Sequence, residues 1–403
     1  MPHTRQRYAK KCLQNATTHS PIVGIIGQRQ TGKTTLMCSL VEEYITLDTS
    51  ENLEKAETQP DQFLSGRQHP FGIDECQLAP RLFPALKEWV RLHPRKGQHL
   101  LTGSVRFTSR KAIRESLTGR IINIELLPFS IAEADSETLP ESVVRWAGTK
   151  AFPLISSPSS RWINQMNEKF ERFLLTGGLP GICFYRDFHI RTARFEAHLE
   201  TLLERDIRLL VNTTLSYRQL RNLLSILAMT QGEPLNFLKM GKDIGVSAPT
   251  LKKLLAAFEG IFLIRIFGTA GSASPICFLE DQGIASYLIG DRRQSRQDLK
   301  RGLFSCILPQ FLYRPELGTV FYQYRTRGGA CVDWVARTQQ GSIGFIALDE
   351  KEPTQSSLAS ARSFISFAAG SKVIIAHRGS QIIPVSETIL AIPHVCLLSD
   401  QWK

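Results

Sequence analysis

The chain has 403 residues, more than one hydrophobic core usually serves, so two or three domains are expected. Apolar residues at 42% and charged residues at 21% exclude a disordered chain, and the lack of any run of eighteen apolar residues excludes a membrane-spanning helix. The formal charge of +12 favours a polyanionic partner such as nucleotide or nucleic acid, although runs such as "RRQSRQDLKR" read first as solvated helix faces.

Eight cysteines are dispersed among apolar neighbours, with no CxxC and no Cys/His pair at metal-ligand spacing. They read as small core residues in a reducing compartment. Without a leader-like apolar segment, a cytoplasmic location and no membrane partner are expected.

In chain order, residues 1–19 form a basic arm or helix containing "RQRYAKK". A β-branched strand, Ile22 to Ile26, follows, then Gly27, then an apolar-periodic helix from about Lys33 to Tyr44. Gly27-x-x-x-x-Gly32-Lys33-Thr34 fits the phosphate-binding loop, in which backbone N–H groups and a helix start face phosphates. Gly27, Gln28, Arg29, Gln30, Thr31, Gly32, Lys33, Thr34 and Thr35 are thus the candidate nucleotide-binding residues, with Lys33 reaching the β- and γ-phosphates and Thr34 a Mg²⁺ ion. The alternative is an ordinary glycine turn before a helix.

"HPFGIDECQ" ends a short apolar strand in Asp74 and Glu75. A carboxylate at that strand end could hold Mg²⁺ through water, and its neighbour Glu75 could polarise a water for in-line attack. The bland reading is an acidic turn. In "HLLTGSVRF" a further strand ends at Thr102, Gly103 and Ser104, whose hydroxyls would sense a γ-phosphate. "RESLTGRIINIELLPFS" then supplies Arg120 and a strand from Ile121 to Leu126. Arg120 or Arg106 could neutralise charge on the γ-phosphate, or be a salt-bridged or DNA-facing surface arginine.

The series "GQRQTGKTTL", "IDECQ", "LLTGS", "ESLTGR" and "LLPFS" resembles, in that order, the AAA+ domain of a large group of prokaryotic ATP-binding proteins whose C-terminal half is a domain of unknown function. The resemblance implies an α/β fold with a five-stranded parallel sheet over residues 20–130, a helical lid and linker over 131–212, ATP and Mg²⁺ binding, and hydrolysis. "TGGLP" and "ERDI" also match that family, in which they sit close to the ATPase module. Arg205 could then sense nucleotide, against the plainer reading of a helix-surface ion pair.

Residues 213–270 read as helix, short helix about Phe237 to Ile244, a Gly245 turn, helix about Ala248 to Glu259, then an apolar ribbon. That order is a winged helix, with Val246, Leu251, Leu254, Leu255 and Phe258 as its buried stripe. Ser247 would cap the last helix and Thr250, Lys252 and Lys253 would lie outside, so the module could touch DNA or pack against protein.

Residues 271–403 alternate helix and strand and resemble the small α/β restriction-endonuclease-like module that closes members of this family. Asp333, Asp349 and Lys351 stand in the acid, acid-x-lysine order by which such nucleases hold a metal. Ser305 stands where family members carry a Glu, and Glu350 would have to point into the core if Asp349 faced a site. The strand is therefore expected to end near Leu348, with "DEKEP" turning into solvent and no active nuclease. The expected function is a Mg²⁺-dependent ATPase coupled to its C-terminal modules, or alternatively a nucleotide-regulated DNA-binding protein. Assembly into a homo-oligomer is left open.

Overall fold

In the computed structural model, residues 5–107, 117–292 and 294–402 are described. The first sheet contains β1 (Ile22–Ile26), β2 (Glu43–Thr46), β3 (Phe71–Asp74), β4 (His99–Gly103) and β5 (Ile121–Glu125), all parallel in the order β2-β3-β4-β1-β5. β1 is buried along its whole length because "IVGII" has no polar face and sits between two neighbours. The register Ile26↔Gly103 brings the C-terminal ends of β1 and β4 together, with that of β3 beside them. This edge is where an open α/β sheet binds ligands.

The helix expected to reach Tyr44 is shorter. It spans Lys33–Cys38, and residues beyond it form β2, which pairs Glu43 with Phe71 and Thr46 with Asp74. The open edge of β3 offers ladder hydrogen bonds that outweigh helical periodicity, and Glu43 fixes the strand by accepting from Arg67 at 2.9 Å and from the Gln68 N–H at 3.1 Å.

Residues 131–212 carry short helices and two long ones, Ser160–Thr176 and Phe188–Glu200, the latter running on as a widened turn over Thr201–Asp206. Helices Tyr217–Met229, Phe237–Ile244 and Ala248–Gly260 follow, each started by a side-chain cap from Ser216, Asn236 and Ser247. Leu251, Leu254, Leu255 and Phe258 are buried, Val246 is half-buried, and Thr250, Lys252 and Lys253 are exposed.

β6 (Ile264–Ala270) and β7 (Ser272–Leu279) pair as a hairpin that turns at Gly271, with φ +86°. The 270/271 boundary expected from the sequence thus falls inside one hairpin. β6 also pairs in parallel with β8 (Val320–Arg325), through Thr269↔Gln323. The hairpin therefore belongs to an eight-stranded mixed sheet with β9 (Cys331–Arg337), β10 (Ser342–Leu348), β11 (Lys372–His377), β12 (Ile383–Ser386) and β13 (Ile389–Pro393), ordered β12-β13-β11-β10-β9-β8-β6-β7. One apolar core runs from Val23 and Leu36 through Phe170 and Phe304 to Trp334 and Phe345, so the two sheets share a continuous interior.

Two readings of side-chain exposure are corrected. In the helix Ser295–Leu312, Lys300 and Arg301 of the supposedly solvated basic run are each 1% exposed, because Asp298, Glu233 and Asp333 compensate their charges. Of the cysteines read as core residues, Cys38 is exposed at the end of its helix; all eight are free thiols.

Candidate nucleotide site

The loop after β1 folds tightly. A Cβ on Gly27 would lie 2.4 Å from the Leu126 carbonyl, and Gly32 adopts φ +91° before the helix Lys33–Cys38, so both positions require glycine. Lys33 is 5% exposed, and its Nζ donates to the carbonyls of Gly27 at 3.0 Å and Gln28 at 2.9 Å. The ammonium thus closes the loop on itself. Burial pulls the lysine down to about 8, against the opposing carboxylates of Glu75, Asp74 and Asp206.

Gln28 is also buried, and its amide has no hydrogen-bond partner among the described residues. Thr31 is buried and donates to the Gln28 carbonyl at 2.9 Å, Gln30 takes φ +65°, and Thr35 is exposed on the outer side of the helix. Arg7 braces the loop from the N-terminal segment: it donates to the carbonyls of Thr31 and Leu127 at 2.5 Å each, pairs with Glu133 at 3.0 Å and lies over the Phe129 ring.

Across the sheet edge, the Thr34 hydroxyl lies 3.0 Å from both Asp74 oxygens, and the Thr102 hydroxyl donates to the same carboxylate. Burial raises the Asp74 carboxyl, partly offset by these two hydroxyls. The Glu75 N–H donates to Thr102 at 3.0 Å. Its carboxylate accepts from Gln77, and from Ser104 at 3.3 Å, while its backbone takes the left-handed conformation at φ +53°. Such a conformation in a non-glycine residue is uncommon outside constrained sites.

Thr34 and Asp74 offer hard oxygen donors, and no group of three or more His, Cys, Asp or Glu that could cage a metal occurs among the described residues. That donor set fits Mg²⁺, which keeps waters and takes further ligands from phosphates. A cavity of about 1100 Å³ opens beside Gly32, Thr35 and Leu36, walled by Arg5, Arg7, Phe129, Phe184 and Tyr185 among others.

The second face of the loop is held from far along the chain. Arg29 Nε lies 2.5 Å from the fully buried carboxylate of Asp206, which ends the widened turn Thr201–Asp206. His198, on the preceding helix, is 2% exposed and pulled down to about 3, first by burial and then by Arg29 and Lys33.

Residues 19–134 match the family described as an AAA domain. The segment is AAA-like, with a P-loop and an all-parallel five-stranded sheet. Residues 167–295 match a domain of unknown function (DUF8612). Uncharacterised proteins of Mycobacterium bovis and Mycobacterium tuberculosis are each 24% identical over 402 residues, covering 96% of this chain and 83% of theirs. A Walker-type ATPase of Pyrococcus abyssi aligns over 72% of this chain and 98% of its own, at 14% identity and a TM-score of 0.44. A STAND protein of Pyrococcus horikoshii with a tetratricopeptide repeat sensor aligns over 75% of this chain and 47% of its own, at 14% identity and a TM-score of 0.25. Both scores are too low to bear on fold or activity. No helix among the described residues is long and apolar enough to cross a membrane.

The AAA-like segment brings together Lys33, Thr34, Asp74, Glu75, Thr102 and Ser104, but neither of its candidate arginines. Arg120 precedes β5, and the register Ile22↔Ile121 puts it at the opposite edge of the sheet, about 16 Å from the loop by strand rise. Within one chain it stands away from the loop. Arg106 turns away to Glu125 at 3.2 Å, the Glu259 carbonyl at 3.1 Å and the Phe262 ring, joining the AAA-like sheet to the helix Ala248–Gly260. Arg205 is half exposed, 3.9 Å from Asp48.

The C-terminal acids do not converge. Asp333 is 1% exposed and paired with Lys300, whereas Asp349 pairs with Arg378 at 2.7 Å and Ser295 at 2.5 Å. β10 ends at Leu348, with Glu350 and Lys351 exposed beyond it, and Ser305 bonds to Gln282 at 2.7 Å.

Sequence reasoning missed Arg7, Gln77, His198 and Asp206. Asp206 lay in view within "ERDI", one residue from the Arg205 that drew attention, and Arg7 lay within the basic arm. Their roles depend on approaches across more than a hundred residues, which no local pattern encodes.

Proposed function

We propose that the chain binds ATP with Mg²⁺ at the loop Gly27–Thr35 and hydrolyses it. The observation that carries this reading is the convergence of Lys33, Thr34, Asp74, Glu75 and Thr102 from three strand ends on one edge of the sheet. The loop's N–H groups and Lys33 bind the phosphates once the ammonium leaves its own loop's carbonyls. Thr34 and Asp74 would hold Mg²⁺, which neutralises charge on the β- and γ-phosphates when bound. Glu75 orients a water and takes its proton as the water oxygen attacks the γ-phosphorus and ADP leaves. Thr102 and Ser104, tied to Asp74 and Glu75, sense the γ-phosphate. The cavity walled by Phe129, Phe184 and Tyr185 receives the nucleoside.

Residues 131–212 act as lid and linker, residues 213–270 with the rest of the β6–β7 hairpin as a winged helix, and the remaining chain as an endonuclease-like module without activity. Arg106, bonded to Glu125 and to the backbone of the helix Ala248–Gly260, supports transmission of nucleotide state to the winged helix. Arg120 could serve only a neighbouring chain, in a homo-oligomer. The location proposed is the cytoplasm.

A DNA-binding role has one supporting observation: Lys239, Lys242, Lys252 and Lys253 are exposed on adjacent helices. Contact with another protein, or packing against the chain's own domains, is the competing reading of these helices. The deciding experiment is an ATPase assay of the full chain and its Lys33→Ala and Glu75→Gln variants, with and without duplex DNA. Hydrolysis lost in both variants supports the reading; hydrolysis retained in either removes that residue from its role.

A further inference from the structure

Asp206 is fully buried, yet only one of its carboxylate oxygens is satisfied: Oδ2 accepts from Arg29 Nε at 2.5 Å, and Oδ1 has no hydrogen-bond partner among the described residues. His198, about two turns earlier, is equally buried, with Nε2 unpartnered among the described residues. Both come from the segment Phe188–Asp206, and both face the two cations of the phosphate loop, Arg29 and Lys33. A buried carboxylate held by a single donor is an incomplete arrangement, since burial of a charge favours full pairing.

Arg29 stands three positions before Gly32, on the stretch of loop between β1 and the helix Lys33–Cys38. Besides Asp206, the carboxylates of Glu75 and Asp48 also act on its guanidinium. Its side chain remains 20% exposed, whereas that of Asp206 is fully buried. We propose that Arg29 is the group that distinguishes a nucleoside triphosphate from a diphosphate, and that Asp206 holds it while no terminal phosphate is present.

The inference rests on the ATP reading above. A terminal phosphate offers the guanidinium a bidentate partner of higher charge than the one-point contact with Asp206. When Arg29 moves, Asp206 is left at the end of the widened turn Thr201–Asp206, a distortion of the helical ladder of the kind that marks functional sites. The helix Phe188–Glu200 and the modules after it thereby respond to the terminal phosphate through one ion pair. Arg29 contacts substrate in this scheme; Asp206 is a positioning residue.

The test is calorimetric titration of the full chain, with Mg²⁺, by ADP and by the β,γ-imido analogue of ATP. Arg29→Gln should weaken the analogue about tenfold while leaving ADP within about threefold, and Arg29→Lys should recover part of the loss. Asp206→Asn should tighten the analogue by releasing Arg29, and should change nothing when added to Arg29→Gln. Equal losses for both nucleotides in Arg29→Gln, or an Asp206→Asn effect that persists without Arg29, overturns the proposal. If Asp206→Asn does not fold, the Arg29 titrations decide alone. A wild-type chain that binds neither nucleotide removes the ATP reading and this inference together, whereas intact binding with an unchanged ratio in Arg29→Gln removes only the inference.

Discussion

The ammonium of Lys300 lies 3.0 Å from Oδ1 of Asp333, and both side chains are buried. The other Asp333 oxygen accepts the Ala347 N–H at 2.8 Å, and Lys300 also reaches Glu233 at 2.7 Å. A lysine thus occupies the face of the one acid that a metal would need. The chain should leave DNA intact in Mg²⁺ or Mn²⁺. Asp333→Ala should cost about 2–3 kcal/mol in chemical denaturation by leaving the buried ammonium to Glu233 alone and the Ala347 N–H without its acceptor, and the pair Asp333→Leu with Lys300→Met should recover part of it. Metal-dependent cleavage that disappears in Asp333→Ala would overturn this.

Lys33→Ala should weaken ATP binding by about a hundredfold or more, since the loop loses its only lysine contact to the phosphates. Titration of ATP against both proteins checks it. An unchanged affinity would mean that Lys33 serves only to close its own loop.

Glu75→Gln keeps the shape and the acceptor for Ser104 but cannot take a proton. ATP should still bind, while turnover falls by about two to three orders of magnitude. Single-turnover hydrolysis gives the answer.

Two pH windows follow from burial. His99, His198 and His394 are each pulled from 6.5 to about 3, so the unfolded chain takes up protons that the folded chain refuses. Stability is present above pH 6.5 and is lost as pH falls through the window toward 3, by about 2 kcal/mol per histidine between pH 6.5 and 5. Lys33 is pulled from 10.5 to about 8, so in the nucleotide-free chain the cost of its buried charge is relieved as pH rises from 8 to 10.5. Denaturant midpoints should show the lower slope directly; above pH 8 the buried thiols of Cys183, Cys277, Cys306 and Cys396, pushed up from 9, add an opposing loss, so the Lys33 contribution is the difference between the wild-type and Lys33→Met midpoints.

If the exposed lysines 239, 242, 252 and 253 contact DNA, a mobility shift with duplex must weaken steeply as salt rises. Exchanging Lys252 and Lys253 for Ala should weaken it further with no effect on ATP turnover without DNA. No shift at low salt ends the DNA reading.

The sequence by itself determined the phosphate loop, because backbone geometry admits only glycine where φ is positive at Gly32 and where Gly27 approaches Leu126. It also determined the carboxylates at the end of β3, the hydroxyls at the end of β4, and the end of β10 before the exposed Glu350, since these depend on local alternation and on the cost of burying charge. Tertiary structure alone decided the rest. β2 became a strand rather than the end of a helix because β3 had an unpaired edge. Arg120 was carried to the far edge of the sheet by parallel register, and Arg106 was drawn to the helix Ala248–Gly260. Lys300 and Arg301 left solvent because their partners, close in space, are in most cases distant in sequence. Arg29 found Asp206 across 177 positions, a pairing set by packing and electrostatics that no window along the chain contains.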